Sequence, residues 1–385
     1  MESVVRQTGI YAPSRKGRLS VFWGDQVFLP SVDFQYTPTH HVDIMCTLLG
    51  DTAPTPEEWT EQGLEKYGVI AVLKGEDGTI AEAAQVEKVD HATATRMLEQ
   101  LGTIGQVGPS LGSFSVSGAI LKAMLEEYST ELTEKTAKLD TDPHFWMPLT
   151  LSEGDYIYLM NQKGIEEGES KAHYERMKAF SDKFDKGSMG LFGAVDVGKD
   201  ACWWDYGQLK LYSKNTSLLL DDSNSESELL RKFLGVSEGP VFGKFDGADL
   251  VHSYAFASKI ASGSVKDSLI CQVTTKELNA DGAIIVNCCA PKITAGKGCI
   301  LYNLISEDEI TAEDGQVMVA VTSDTTGDSF VLKSRVDIDG GKAWKKVVEE
   351  NELTFEQVWK NNKQADITKI DKERSEKYKS LANSM

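Results

Sequence analysis

The pair Gly24-Asp25 stands where a carboxylate in this sequence could do chemistry. An apolar, β-rich run from Leu19 to Trp23 precedes the pair, and a second apolar run follows it. The first run is typical of a buried strand, which would end in an acidic turn. In open α/β sheets, ligands bind outside the carboxyl ends of the strands, so Asp25 is a candidate functional residue. The alternative is that Asp25 only caps the turn.

The charge balance restricts what such a site could bind. The chain has 385 residues, with 59 Asp and Glu against 40 Lys and Arg, and its formal net charge is −19. This excess repels phosphate backbones and anionic lipid surfaces, so we expect neither a nucleic acid nor a membrane as partner. A phosphorylated metabolite can still bind where a divalent cation or a nearby lysine offsets the repulsion. The composition is therefore compatible with a metal-assisted site for a small phosphorylated ligand.

Other chemistries find little support in the sequence. The six cysteines form no C-x-x-C pair, and we expect reduced thiols, with Cys288 and Cys289 as buried strand residues. The histidines His40, His41 and His144 lack metal-ligand spacing and are predicted to be structural. No G-x-S-x-G nucleophile motif occurs. The N-terminus lacks an apolar signal region, and no stretch reaches about 18 apolar residues. We therefore expect a cytosolic or organelle-stromal protein, and of these two compartments we favour the cytoplasm.

Strand and helix patterns alternate in the N-terminal half of the chain. Residues 42–49 and 68–73 are predicted strands, and residues 93–101 and 119–137 are predicted helices. The alternation favours an α/β layer around a mostly parallel sheet. Residues 151–186 are charged and helical, and we expect them to form a peripheral insertion.

The pattern changes after about Ser258. Apolar residues then recur at steps of five or six with small and polar residues between them, which favours the coils of a β-solenoid over the alternative of an antiparallel β-domain. The recurring residues are Ile260, Val265, Ile270, Ile284, Ile293 and Ile300. The predicted divisions are an α/β domain over 1–220, a connector over 221–258, the solenoid over 259–336 and a helical tail over 337–385.

Five motifs stand in the order found in the sugar-1-phosphate nucleotidyltransferases, also called NDP-sugar pyrophosphorylases, and the sequence resembles this family. The motifs are FWGDQVF around Asp25, Tyr67-Gly68-Val69, Val86-Glu87-Lys88-Val89, the strand Ser110-Leu111-Gly112-Ser113-Phe114-Ser115-Val116, and Trp203-Trp204-Asp205-Tyr206-Gly207. Two positions depart from the family pattern, since Val89 replaces a proline and Ser110 replaces an asparagine. The resemblance covers roughly residues 18–215, with the solenoid as a further point of similarity.

The resemblance implies a fold and a set of ligands. The fold is a Rossmann-like mixed-sheet nucleotidyltransferase domain, incomplete at its N-terminus, followed by a left-handed β-helix-like solenoid. The cofactor is Mg²⁺, with Asp25 and Asp205 as its ligands; Asp196, in a second Asp-x-Gly, is the alternative to Asp205. Such carboxylates suit a hard cation that neutralises and aligns phosphates.

The resemblance also implies which residues bind the sugar. Gly68 lets the sugar approach the backbone, Glu87 contacts sugar hydroxyls, and Lys88 lies near the sugar phosphate. Ser110 and Gly112 complete the substrate-binding set. The resemblance assigns no separate catalytic side chain, because nucleotidyl transfer depends on charge neutralisation and alignment.

The implied activity is transfer of a nucleotidyl group between a nucleoside triphosphate and a sugar 1-phosphate in nucleotide sugar biosynthesis. The family's glycine-rich nucleotide-binding loop has no counterpart upstream of Asp25. We therefore consider three cases: an enzyme whose nucleotide-binding part is absent from this sequence, a non-catalytic sugar-phosphate-binding regulatory subunit, and an acyltransferase carried by the solenoid. The last ranks lowest, because His252 precedes the predicted solenoid. The solenoid and the tail are plausible surfaces for a homo-oligomer.

Overall fold

A computed structural model describes residues 17–29, 38–50, 52–74, 81–134, 141–184, 189–236, 239–322, 329–362 and 365–385. The chain divides into two compact units, Met1–Trp203 and Trp204–Met385. The domain boundary predicted from the sequence lies at residue 220. Strand β8 (Cys202–Asp205) contains the point of division.

The first unit contains a mixed β-sheet. Its strands are β1 (Arg18–Val21), β3 (His40–Cys46), β4 (Gly68–Leu73), β5 (Ala83–Glu87), β6 (Ile104–Ser117) and β7 (Gly190–Asp196), while β2 (Gln26–Leu29) lies outside this sheet. The order is β5-β4-β6-β3-β7, and β1 pairs with β6. The mixed sheet of the predicted fold class is confirmed. The expectation of a mostly parallel sheet is wrong. Within this sheet, β3 and β7 are parallel, whereas the other described pairs of strands are antiparallel.

Helices cover both faces of this sheet. They are α1 (Pro56–Glu61), α2 (His91–Glu99), α3 (Gly118–Glu127), α4 (Ser129–Glu134), α5 (Met147–Thr150), α6 (Glu153–Gln162) and α7 (Glu167–Ser181), with a 3₁₀ turn at Leu64–Lys66 and a π-helical turn at Asp142–Trp146. Along β4, Ile70 belongs to one hydrophobic cluster, and its neighbours Val69 and Ala71 belong to another. Because successive strand residues point to opposite faces, each face of the sheet has its own core.

The charged segment predicted as a peripheral insertion is part of the core. Met177 and Phe180 in α7 are fully buried, and they belong to the same cluster as Val42 and Ile44 of β3. The charge of α7 lies on its outer residues, while its apolar stripe packs inward. The prediction that this segment is peripheral is therefore wrong, since overall charge concealed the amphipathic pattern.

The histidine pair at the start of β3 has a structural role, in agreement with the sequence. His40 Nε2 lies 2.8 Å from the carbonyl oxygen of Ala81, and His41 Nδ1 lies 2.8 Å from Ser117 Oγ. The buried carboxylate of Asp43, next to this pair, accepts a hydrogen bond of 2.8 Å from Arg18. The pair therefore joins β3 to β6 and to the segment that precedes β5.

The second unit is built on a β-solenoid, which confirms the sequence prediction; its left-handed sense stays a prediction. The strands are β9 (Val241–Phe245), β10 (Ala248–Phe256), β11 (Lys259–Ile260), β12 (Gly263–Lys266), β13 (Leu269–Cys271), β14 (Thr274–Thr275), β15 (Glu277–Asp281), β16 (Ile284–Val286), β17 (Lys292–Ala295), β18 (Ile300–Tyr302), β19 (Ile310–Ala312), β20 (Gln316–Thr322) and β21 (Ser329–Arg335). Stacking begins at β10, so His252 lies in the first coil.

The register gives the length of each coil. Leu250 pairs in parallel with Val265, and Val265 pairs with Ala280, so one coil takes 15 residues. The last step on this face, from Ala295 to Ala312, takes 17 residues. The apolar side chains predicted to repeat are all buried, namely Ile260, Val265, Ile270, Ile284, Ile293 and Ile300. A coil of three faces with about five residues each explains the sequence period.

Antiparallel strands and helices complete this unit. Strand β9 pairs with β10 at one end of the stack, and β21 pairs with β20 at the other. The helices are α8 (Leu209–Ser217), α9 (Ser225–Phe233), α10 (Gly340–Ala343), α11 (Phe355–Asn362) and α12 (Ile367–Asn383), with a 3₁₀ turn at Leu218–Leu220. In α12, Tyr378 Oη is hydrogen-bonded to Thr274 Oγ1 at 2.8 Å. Among the described helices, none combines the length and hydropathy needed to cross a bilayer.

Candidate functional site

Three of the predicted sugar-binding residues lie side by side on the sheet of the first unit. Gly68, the first residue of β4, pairs with Glu87, the last residue of β5. On its other side, β4 pairs with β6 through Val69 and Pro109, and this antiparallel register sets Gly68 beside Ser110. Strand pairing thus brings together positions that are far apart in sequence.

The same line of residues continues across the next two strands. Ser110 pairs with Cys46 at the end of β3, and Cys46 pairs with Asp196 at the end of β7. The five residues Glu87, Gly68, Ser110, Cys46 and Asp196 form a line that we call the site row. Strands β3 and β7 end at this row from one side, and β5, which runs antiparallel to them, ends at it from the other.

Gly68 gives Glu87 its space. A Cβ at position 68 would overlap Oε1 of Glu87 and would come within 3.0 Å of Nε2 of Gln85. Gln85 is buried, and its side-chain amide donates a hydrogen bond to Oε1 of Glu87. Sequence analysis missed Gln85. The available signal was its position two residues before Glu87, which puts both side chains on one face of β5.

The Glu87 carboxyl has a pKa close to physiological pH, so its protonated and ionised forms are both populated there. Burial raises its pKa to about 7, and the negative charge of Asp142 adds to this effect. The hydrogen bond from Gln85 and the positive charges of Lys88 and Lys163 act in the opposite direction, and they lower the pKa less. A carboxyl with a perturbed pKa at the edge of a sheet is characteristic of functional sites, although it does not prove one.

Lys88 turns the chain away from β5. Its φ of 53° lies in the left-handed region, which is uncommon for residues other than glycine. Its backbone N–H donates to the carbonyl oxygen of Tyr67 at 3.1 Å, which fixes the turn beside Gly68. The Lys88 side chain is exposed, so it is a cation available next to the site row.

Gly112 forms a β-bulge in β6. Ile44 of β3 pairs with Phe114, whereas Cys46, only two residues later, pairs with Ser110, so β6 carries extra residues there. Gly112 has φ of 73°, and its N–H donates to Ser110 Oγ at 3.2 Å. Ser110 therefore stabilises the bulge as well as standing in the site row. Bulges are often found beside active sites, where they redirect side chains.

Trp23 lies on this bulge, and sequence analysis did not single it out. A Cβ at Gly112 would come within 2.7 Å of Trp23 Nε1 and 3.0 Å of Trp23 Cδ1. The contact follows from register, because Val21 of β1 pairs with Phe114 and each chain continues two residues beyond that pair. The signal in the sequence was the position of Trp23, two residues before Asp25.

The two predicted magnesium ligands belong to different units. Asp25 is exposed in the turn between β1 and β2, in the first unit. Asp205 ends β8, in the second unit, and its Oδ1 accepts a hydrogen bond of 2.7 Å from the N–H of Gly207. Each carboxylate is of the oxygen-donor type that Mg²⁺ prefers. Their joint role stays a prediction.

Asp196, the alternative to Asp205, lies in the site row. Its Oδ1 accepts hydrogen bonds of 3.1 Å from the N–H groups of both Leu48 and Gly198. These bonds hold the loop that follows β7, so Asp196 has a structural use of its own. Among the described residues, no three or more His, Cys, Asp or Glu side chains group as a metal site. Mg²⁺ is commonly held by only one or two carboxylates, with substrate phosphates and water as the other ligands.

Comparison with known proteins gives no family assignment. No protein-family model matches the chain, and no curated protein matches it. Among solved structures, the chain is similar to one described as the crystal structure of mannose-1-phosphate geranyltransferase from Thermus thermophilus. The similarity spans 85% of this chain and 68% of that chain, with 13% sequence identity and a TM-score of 0.26. At that TM-score the likeness adds no support, and the fold assignment rests on the strand pairings given above.

Proposed function

We propose that this protein binds a sugar 1-phosphate at the site row and transfers a nucleotidyl group between it and a nucleoside triphosphate. A phosphate oxygen of the sugar 1-phosphate would attack the α-phosphorus of the triphosphate, and the bond to the departing pyrophosphate would break. The products would be a nucleotide sugar and pyrophosphate. The free thiols of all six described cysteines are compatible with a cytoplasmic enzyme.

The observation that carries the proposal is the convergence at Gly68. Glu87, in β5, and Ser110 and Gly112, both in β6, belong to two motifs that are separate in sequence from that of Gly68. Strand register sets Glu87 and Ser110 on either side of Gly68, and Gly112 stands two residues beyond Ser110.

The chemistry of these residues suits a phosphorylated sugar. Glu87 has a carboxyl that can accept or donate a hydrogen bond near neutral pH, as its pKa of about 7 allows. Lys88 supplies an exposed positive charge for the sugar phosphate in a protein whose net charge is −19. Gly68, which has no side chain, leaves room for the Glu87 carboxyl beside the backbone of the site row.

Magnesium is the proposed cofactor, and Asp25 and Asp205 are its proposed ligands. When bound, Mg²⁺ would neutralise charge on the phosphates and favour their alignment. The residues of this chain would orient the sugar, hold its phosphate near Lys88 and keep Glu87 within reach of a hydroxyl.

Calorimetry and isotope exchange test the proposal with the full 385-residue chain. We expect binding of a hexose 1-phosphate, and Mg²⁺-dependent exchange of labelled pyrophosphate into a nucleotide sugar. Asp25→Asn and Asp205→Asn should each reduce the exchange by at least about 100-fold, which corresponds to roughly 3 kcal/mol. The matched control is Asp90→Asn, since Asp90 caps α2 and asparagine caps a helix equally well.

The same experiments separate the alternative function. A regulatory subunit that keeps only the sugar-binding half would bind the sugar phosphate and show no affinity for a nucleoside triphosphate. Exchange that is unaffected by Asp25→Asn would refute the assignment of Asp25 to the metal. Absence of binding by both sugar phosphates and triphosphates would refute the whole proposal.

A further inference from the structure

Trp23 is an aromatic side chain that the fold leaves in water. The exposed fraction of Trp23 is 44%, whereas most of the surface of a tryptophan side chain is buried in an average protein. It follows β1 and precedes Gly24-Asp25, so it stands within two residues of a proposed metal ligand. An exposed indole in such a position needs an explanation beyond the stability of the core.

The β-bulge at Gly112 is what supports the indole. The pyrrole side of the ring, with Nε1 and Cδ1, lies against Gly112, where any side chain would collide with it. Gly112, with φ of 73°, therefore supports the ring on one side. The six-membered part of the ring is then the part of Trp23 left for other contacts.

The supported indole stands next to the polar groups of the site row. Gly112 is hydrogen-bonded to Ser110, and strand register sets Ser110 beside Gly68 and Glu87. A pyranose ring has hydroxyls at its rim and C–H groups on its faces. The rim matches the carboxyl and hydroxyl groups of the site row, and the C–H groups, which carry partial positive charge, match the negative face of an aromatic ring.

We infer that the indole ring of Trp23 is the surface on which the sugar ring of the bound sugar 1-phosphate stacks. This inference rests on the proposed function and adds a specificity-determining residue to it. Trp23 selects ligands by the face of the sugar ring, whereas Lys88 acts on the phosphate that all sugar 1-phosphates share.

Calorimetry with Trp23→Ala, Trp23→Phe and the wild-type chain tests the inference. The probes are glucose 1-phosphate, the 1-phosphates of mannose and galactose, each of which differs from glucose at one hydroxyl, inorganic phosphate and a nucleoside triphosphate. We expect Trp23→Ala to weaken the best sugar 1-phosphate by roughly tenfold and Trp23→Phe to retain most of the affinity, as stacking on an aromatic ring predicts. Binding of inorganic phosphate and of the triphosphate should not change.

Phe22→Ala is the matched control, because Phe22 is the adjacent exposed aromatic residue, with an exposed fraction of 67%. It should leave sugar affinity unchanged, and circular dichroism should show that all variants are folded. Equal affinity of Trp23→Ala and wild type for every sugar 1-phosphate would overturn the inference and leave the proposed function intact. Loss of triphosphate binding in place of sugar binding would also overturn it, since the indole would then stack on a base. No binding of any sugar 1-phosphate by wild type would overturn the proposed function and the inference together.

Discussion

At the scale of single residues, the raised pKa of the Glu87 carboxyl is the property of the site row that bears most directly on ligand binding. This carboxyl is surrounded by a buried amide, a second carboxylate and two lysines, and burial has the largest effect on its pKa. The folded chain therefore holds a proton on Glu87 more tightly than the unfolded chain does. This difference makes stability depend on pH.

Glu87→Gln should remove that dependence. Between the ordinary pKa of 4.5 and the folded value of about 7, the native state binds more protons at this position than the unfolded state. Wild type should therefore lose stability relative to Glu87→Gln as pH rises through this range. Urea unfolding of both proteins at several pH values measures the difference. Glu61→Gln, which removes an exposed carboxylate from α1, controls for net charge, and parallel profiles for wild type and Glu87→Gln would contradict the prediction.

Gly68→Ala should affect ligand binding more than folding. The added methyl group would meet the end of the Glu87 side chain, which can move, so we expect a loss of stability below about 1 kcal/mol. The displaced carboxylate should weaken hexose 1-phosphate binding by at least about tenfold, or 1.4 kcal/mol. Calorimetry and urea unfolding give the two numbers. Gly154→Ala in α6, where the methyl meets no atom within 4 Å, should leave binding unchanged; unchanged affinity in Gly68→Ala would show that Glu87 does not contact the ligand.

At the scale of elements, the solenoid depends on its corners. One corner of successive coils is formed by Ala257, Gln272, Asn287 and Asn303, all with positive φ between 44° and 67°. Glycine adopts this left-handed conformation most readily, and asparagine adopts it more readily than most residues that have a side chain. The side-chain amides of Asn287 and Asn303 are also hydrogen-bonded to each other at 2.9 Å. The corner residues therefore stabilise the stack through their conformation and, between the last two coils of this corner, through an amide hydrogen bond.

Substitution of Asn303 separates these two contributions. Asn303→Gly loses the amide hydrogen bond, so we expect a loss of about 1 kcal/mol. Asn303→Ala loses the bond and must also adopt φ of 67° with a side chain, so we expect a loss of about 2 kcal/mol or more. Urea unfolding measures both, with Asn361→Ala on the exposed side of α11 as control. Equal losses for the glycine and alanine variants would show that the left-handed conformation carries no cost there.

At the scale of the whole molecule, the excess of acidic residues is the dominant electrostatic feature. With 59 acidic and 40 basic residues, the chain carries a formal net charge of −19. Self-repulsion of this kind destabilises compact states, and it is reduced by screening. The Debye length falls from about 30 Å at 0.01 M salt to about 8 Å at 0.15 M.

The melting temperature should therefore rise with salt. We expect differential scanning calorimetry to show a higher melting temperature at about 0.15 M NaCl than at about 0.01 M, because screening weakens repulsion among the acidic side chains. Equal ionic strength from a second monovalent salt, such as KCl, should give the same shift. A melting temperature that falls on addition of salt would mean that attractive pairs, such as Arg176 with Glu127 and Glu131, outweigh the net repulsion.

The sequence by itself determined the periodic parts of the molecule. Burial of Ile260, Val265 and Ile293 follows from a spacing that matches the coils of a solenoid, and strand β4 has the bounds predicted for it. Such local periodicity is visible in sequence because each coil packs mainly on its neighbours. Gly68 and Glu87 are indicated differently, by the resemblance of short, continuous motifs to those of the sugar-1-phosphate nucleotidyltransferases.

Only the tertiary structure decided how the strands pair and what surrounds the site. The antiparallel partners of β6 depend on contacts between distant segments, so alternation of strands and helices wrongly favoured a parallel sheet. The place of Trp23 on Gly112 depends on the register of β1 with β6 and on the bulge, which adds residues to one strand alone. Local hydrophobic periodicity indicates which residues face a core, whereas the pairing of distant strands determines which residues contact one another.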